Sequence, residues 1–174
     1  MNLREEILRE HSKEQCIKIV RWVGDDQKRF DELFYLFLND EYRVVQRAGW
    51  PVSNCVMKHP DFITKHWANL IKNVQKPNLH GAVKRNTVRL LQDIDIPEQF
   101  QGEIMNICFA FVESPTEEVA VKAFSLTILG NLAKKYPEII PELKLLIESQ
   151  IEDQTAAFKS RGTKLLKGFS KVRS

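Results

Sequence analysis

Four histidines (His11, His59, His66 and His80) and three cysteines (Cys16, Cys55 and Cys108) are the side chains of this 174-residue sequence best suited to hold a metal or carry nucleophilic chemistry. Their spacing argues against both uses. No two histidines stand four residues apart, and Pro60 places His59 and His66 on different helices, so no imidazole pair shares one helical face as a zinc site would require. His59 instead suits a helix end, where its partial positive charge favours the dipole. The cysteines form no CxxC pair and are odd in number, so reduced thiols are expected, without a disulfide framework or zinc. The carboxylate pairs Asp25–Asp26, Asp93–Asp95 and Glu117–Glu118 read as helix-end and turn residues, not as acid and base partners. GxxxxGK[ST], GxGxxG after a strand, GxSxG and HExxH do not occur. The sequence therefore nominates no catalytic residue, no metal and no cofactor.

What remains for chemistry is charge. The net charge is +3, but residues 1–42 carry 7 basic and 10 acidic side chains, 43–97 carry 9 and 3, 98–154 carry 4 and 10, and 155–174 carry 6 and 0. Two positive segments far apart in the chain make a common basic surface only if the fold brings them together. The charged opening "MNLREEILREHSKEQ" and a longest apolar run of "ICFAFV" at 107–112 predict a soluble, cytoplasmic protein with no membrane span.

Apolar residues recur at spacings of three and four almost throughout, and glycine and proline number only 7 each, so the chain reads as all-α. The pattern predicts ten helices, at about 2–10, 13–24, 27–39, 42–58, 60–74, 79–93, 97–113, 116–135, 137–150 and 154–171. Thr116 is the expected N-cap of the eighth, and Pro137 opens the ninth. Val121, Phe124, Ile128, Leu129 and Leu132 form the apolar stripe of the eighth.

The chain also repeats itself. "NLAKKYPEIIPELK" at 131–144 pairs with "NCVMKHPDFITKHW" at 54–67, with Asn131 on Asn54, Lys135 on Lys58, Pro137 on Pro60 and Ile140 on Ile63. Val44, Val83, Val121 and Phe158 begin similar stretches 39, 38 and 37 residues apart. A period near 38 with two helices per unit is the mark of a helical solenoid, in which a lone hairpin cannot bury its apolar face and must stack on neighbours.

"SPTEEVAVKAFSLTILGNLA" resembles the second half of a HEAT repeat: a short acidic turn, then a helix opening with valine and a basic residue, then small residues and Leu-Gly-x-Leu. Here those are Val121, Lys122, Ser125, Leu129, Gly130 and Leu132. The unit at Val44 matches less closely, with Ala48 and Gly49 at the small positions, and those at Val83 and Phe158 match more weakly. The resemblance implies a right-handed, armadillo-type superhelix of about five antiparallel helix pairs, in a single domain over 1–174. Lys84, Lys122 and Lys159 hold the family's basic position, which implies a structural role, pairing with an acidic side chain of the neighbouring repeat.

In that family the second helix of each unit lines the concave surface. By helical spacing the groove-facing positions are then Gln46, Arg47, Trp50 and Asn54; Arg85, Asn86, Arg89 and Asp93; Ala123, Phe124, Thr127 and Asn131; and Ser160, Arg161 and Lys164. Phe124 suits the core equally well. Arginines beside an indole suit oxyanions and planar groups, and suit an acidic protein segment as well. They could also be only a solvated face. Pro51 removes a donor and crowds the Arg47 carbonyl, costing about 3 kcal/mol unless the helix kinks. Such a kink would tilt Trp50 into the groove or simply follow the curvature.

The expected function is a non-enzymatic, monomeric protein-binding scaffold. The alternative is nucleic-acid binding, extending to the HEAT-like DNA alkylation repair glycosylases, whose inventory of groove cations, tryptophans and a carboxylate Arg47, Trp50, Arg89 and Asp93 resemble in kind. This chain carries one tryptophan on the implied groove and lacks the tryptophan and aspartate on one helix that mark their pocket.

Overall fold

The computed structural model describes residues 1–171, so Arg173 of the basic C-terminal segment lies outside them. All regular structure among the described residues is helical, as the periodicity predicts. The α-helices are α1 (Leu3–Arg9), α2 (Lys13–Val23), α3 (Gln27–Asn39), α4 (Tyr42–Lys58), α5 (Trp67–Val74), α6 (Gly81–Leu91), α7 (Glu98–Glu113), α8 (Val119–Ala133), α9 (Ile140–Glu148) and α10 (Ala156–Lys171). None of them is long and apolar enough to cross a membrane.

Short polar side chains set the early helix starts. Asn2 accepts from the Glu5 amide, Ser12 from that of Gln15, and Asp26 from those of Lys28 and Arg29, satisfying donors that the first turn leaves orphaned. His59 is the C-cap of α4. Two expected helices begin otherwise. Pro60 and Pro137, the matched prolines of the sequence repeat, each open a 3-10 turn (Pro60–His66 and Pro137–Ile139) before the α-helix proper starts at Trp67 or Ile140. Proline fixes φ for such a tight first turn and has no amide to leave unpaired. Thr116 does not cap α8: its hydroxyl lies 3.3 Å from that of Ser114, and the helix starts three residues later, behind Glu118.

The described chain forms two compact units, Met1–Ile94 and the part from Asp95 onward. In the first, α4 packs against α1, α2, α3 and α6, burying Val44, Val45, Ala48, Val52, Cys55 and Val56. Phe30, Leu33, Phe34 and Phe37 of α3 are fully buried beside it. Phe30 stacks on Phe62 at 4.9 Å, tying the first 3-10 turn to α3. Pro51 is buried inside α4, which remains helical on both sides of it.

Close approach of neighbouring second helices depends on glycine. A Cβ at Gly49 would meet the Cγ and Nδ2 of Asn86 at 2.6 Å, so α6 seats the Asn86 amide in a notch on α4, where it donates to the carbonyls of Val45 (3.4 Å) and Gln46 (3.5 Å). The second unit repeats the device. There α8 lies between α7 and α10, buried along most of its length, and a Cβ at Gly130 would stand 2.3 Å from Cδ2 of Leu165 on α10. Val121, Ile128, Leu129 and Leu132 are buried as their stripe predicts, whereas Phe124 stays half-buried.

Candidate interaction surface

On α4, Arg47, Trp50 and Asn54 come together where the α1–α2 hairpin meets them. The Arg47 guanidinium donates from Nη1 to the Leu8 carbonyl at 2.7 Å, placing a cation on the C-terminal turn of α1, where orphan carbonyls and the helix dipole favour it. Trp50 sits against His11 with ring centroids 6.1 Å apart. Asn54 donates to the Trp50 carbonyl at 2.9 Å and lies 3.8 Å from the Cys16 sulfur. All three are half-buried, and the recess beside Arg47 and Trp50 measures about 10 Å³, roughly the room of one water.

On α6, Arg85 is half-buried and Arg89 exposed, with Asp93, also exposed, just past the helix end. Asn86 is not a surface residue: it is 9% exposed and fills the Gly49 notch. On α8 the accessible row runs Ala120, Phe124, Thr127 and Asn131, so Ala123, at 1% exposure, also turns inward, contrary to its expected place on the groove. Residues three and four apart define one face, and Ala120, not Ala123, completes it. From α10, Arg161 reaches this row, donating from Nε to the Thr127 hydroxyl at 3.1 Å with its Cζ 5.3 Å from the centre of the Phe124 ring. Lys164 is exposed on the same helix.

Paired helices with one recurring glycine-notched contact in each unit are a repeat architecture, and the profile of the HEAT repeat domain matches residues 3–169. The chain belongs to the HEAT-repeat family. No curated protein and no solved structure matches it.

At the basic position of this HEAT-repeat chain, Lys122 is buried and donates from Nζ to Oε1 of Gln150 at 3.0 Å. Gln150 in turn donates to the Val112 carbonyl at 3.1 Å and accepts from Gln154 at 3.3 Å. The lysine therefore joins α8 to the turn after α9 and, through it, to α7. This placement suits the structural role that the family implies, with the Gln150 amide as hydrogen-bond acceptor and Glu117 acting on the lysine through charge. Burial lowers its affinity for the proton, and Glu117 only partly offsets this. Burial likewise pushes the thiols up, Cys16 to about 11 and Cys55 and Cys108 to about 12. No three His, Cys, Asp or Glu side chains among the described residues gather as a metal site would.

Another cavity lies outside the expected surface. It is an open recess of about 490 Å³ between α3 and the His66–Lys76 stretch, walled by Phe34, Tyr35 and Leu38 on one side and Asn69, Lys72, Asn73 and Lys76 on the other. Asp31 at its edge accepts from Lys65 at 2.6 Å, His66 at 2.7 Å and Gln27 at 2.9 Å. Burial raises its pKa, but these donors outweigh burial and hold it below the usual carboxylate range. The sequence did carry a trace of this site: in "NLIKNVQK" Asn69, Lys72, Asn73 and Lys76 share one helical face opposite Leu70, Ile71 and Val74.

Proposed function

We propose that this HEAT-repeat chain is a non-enzymatic scaffold that grips an acidic protein segment with its second helices. Proteins of the family generally act as scaffolds for protein interaction, and chemistry on this chain supports the finer reading. The contact carrying it is Arg161, whose guanidinium is held over Phe124 and braced by Thr127. A fork fixed in this way loses little freedom when a carboxylate binds it. Asn131 and Lys164 extend that surface in the second unit. Arg85, Arg89 and Asp93 are its counterpart in the first, with Arg47, Trp50 and Asn54 bracing α4 against the N-terminal hairpin. A pull-down from the source organism's lysate, run with the parent chain and with Arg89→Glu/Arg161→Glu, tests it. A partner lost in the variant supports the reading, and an unchanged catch refutes it.

A second reading rests on α10. Lys159, exposed here in place of the structural pairing that the family implies for its position, joins the exposed Lys164 and Lys167 on a helix without a single carboxylate, and such a face suits the phosphates of nucleic acid. Labelled duplex DNA decides it: binding that falls steeply between about 50 and 200 mM salt supports this reading, and no retention at the lower salt removes it.

A further inference from the structure

We propose that the recess between α3 and α5 is a second docking site, recognising a short acidic peptide segment that carries an apolar or aromatic side chain beside its carboxylate. The proposal does not rest on the second-helix surface described above.

Three features of the recess specify that chemistry. Its volume of about 490 Å³ falls within the roughly 300–1,000 Å³ of ligand pockets. One wall is apolar, with Phe34 and Leu38 behind Tyr35, a large aromatic residue that is 66% exposed. An exposed aromatic on a recess wall is the feature that anchors peptide side chains.

The opposite wall is cationic. Lys72 and Lys76, one turn apart on the α5 side, are exposed and pair with no carboxylate among the described residues. The only carboxylate at the recess, Asp31, already accepts from a lysine, a histidine and a glutamine, so it does not neutralise them. The recess thus presents two uncompensated ammonium groups beside an aromatic surface.

Asn73 supplies the third feature. It lines the recess at 3% exposure, and its Nδ2 is buried without a hydrogen-bond partner among the described residues. A buried donor left unpaired is costly, and native proteins rarely tolerate it without a water or ligand to complete it. The two exposed ammonium groups set the charge of the recess, and the exposed Asn69 amide beside them can donate as well as accept, so the complement is an oxygen acceptor bearing negative charge. The requirement for an adjacent apolar group comes from the Tyr35 wall, and a short peptide segment meets both demands in consecutive residues.

The test uses the whole chain and fluorescein-labelled heptapeptides in which Glu or Asp flanks Phe, Trp or Leu, beside matched peptides with Gln or Asn at the acidic positions. Anisotropy should show the acidic set binding about tenfold or more tighter than the amide set. Lys72→Glu/Lys76→Glu should erase that preference, Tyr35→Ala should weaken binding severalfold, and Arg89→Glu/Arg161→Glu should leave it unchanged. All of these positions except Arg161 are exposed, and matching thermal melts establish that the variants fold. In an amide-resolved NMR titration the Asn73 side-chain signals should move on saturation. Equal binding of the two peptide sets, no binding, or indifference to Lys72→Glu/Lys76→Glu overturns the proposal. So does a parent chain that self-associates through this face and is made monomeric by that variant, because the occupant is then a second copy.

Discussion

Substituting Gly49 by alanine tests whether the α4–α6 contact sets the packing of the first unit. The new Cβ would stand 2.6 Å from Cγ and Nδ2 of Asn86 and 3.0 Å from its Cβ. Asn86 is 9% exposed, so its amide has no easy retreat. Forcing it aside costs about 1–3 kcal/mol of overpacking. Its hydrogen bonds to Val45 and Gln46, at 3.4 and 3.5 Å, are long, so their loss adds only a few tenths of a kcal/mol. Against this, alanine regains about 1 kcal/mol of helix propensity over glycine. The net is a loss of about 0.3–2.3 kcal/mol, or roughly 1–9 °C in Tm for a chain of this size. In an Asn86→Ala background the two closest contacts vanish and only the one at 3.0 Å remains, so the same glycine substitution should be neutral or gain about 0.5 kcal/mol. Urea unfolding followed by circular dichroism on all four chains of the cycle then gives a coupling of about 1.5 kcal/mol, well outside the roughly 0.5 kcal/mol of independent sites. Gly49→Ala at or above parental stability, or coupling below that limit, refutes the notch.

Lys122→Met probes the buried ammonium. The folded chain holds this proton less tightly than the unfolded one, so the unfolded state binds more protons, and stability rises with pH between the lowered folded value and the ordinary value near 10.4. The variant should lack that rise and at neutral pH should be as stable as the parent or up to about 1 kcal/mol more so; urea midpoints near pH 7 and 10.5 measure both, and an identical pH response refutes the assignment. The three thiols, pushed up to about 11 for Cys16 and about 12 for Cys55 and Cys108, leave fewer than about one thiolate in a hundred at pH 8. Ellman's reagent should therefore label none in the native chain over minutes and all three in urea, and rapid native labelling would contradict their burial.

Much of the architecture was legible because its signals are local. Asp26, read with Asp25 as a helix-end residue, caps α3, the paired prolines Pro60 and Pro137 each open a new helix, and a three-to-four spacing puts Phe124, Thr127 and Asn131 on one accessible face. What escaped depends on partners distant in the chain. Asn86 looks like a surface amide until Val45 and Gln46, some forty residues earlier, offer it carbonyls and Gly49 offers it space. Ala123 carries no polarity to reveal which way it points. The reach of Arg47 to Leu8 depends on where α1 happens to end in space. The recess between α3 and α5 was half visible, since one helical face of "NLIKNVQK" was written in sequence, but Tyr35 on the facing wall stands more than thirty residues away.

The two glycine notches bear on how such a chain can grow. Each glycine is met by one particular filler from the following second helix, asparagine in one unit and leucine in the other, and the two differ in shape and polarity. Duplicating or transplanting a helix pair would set a filler against a socket it was not cut for, leaving a void or a collision. Lengthening by simple copying is thereby discouraged, and neighbours recognise each other much as a key recognises its lock.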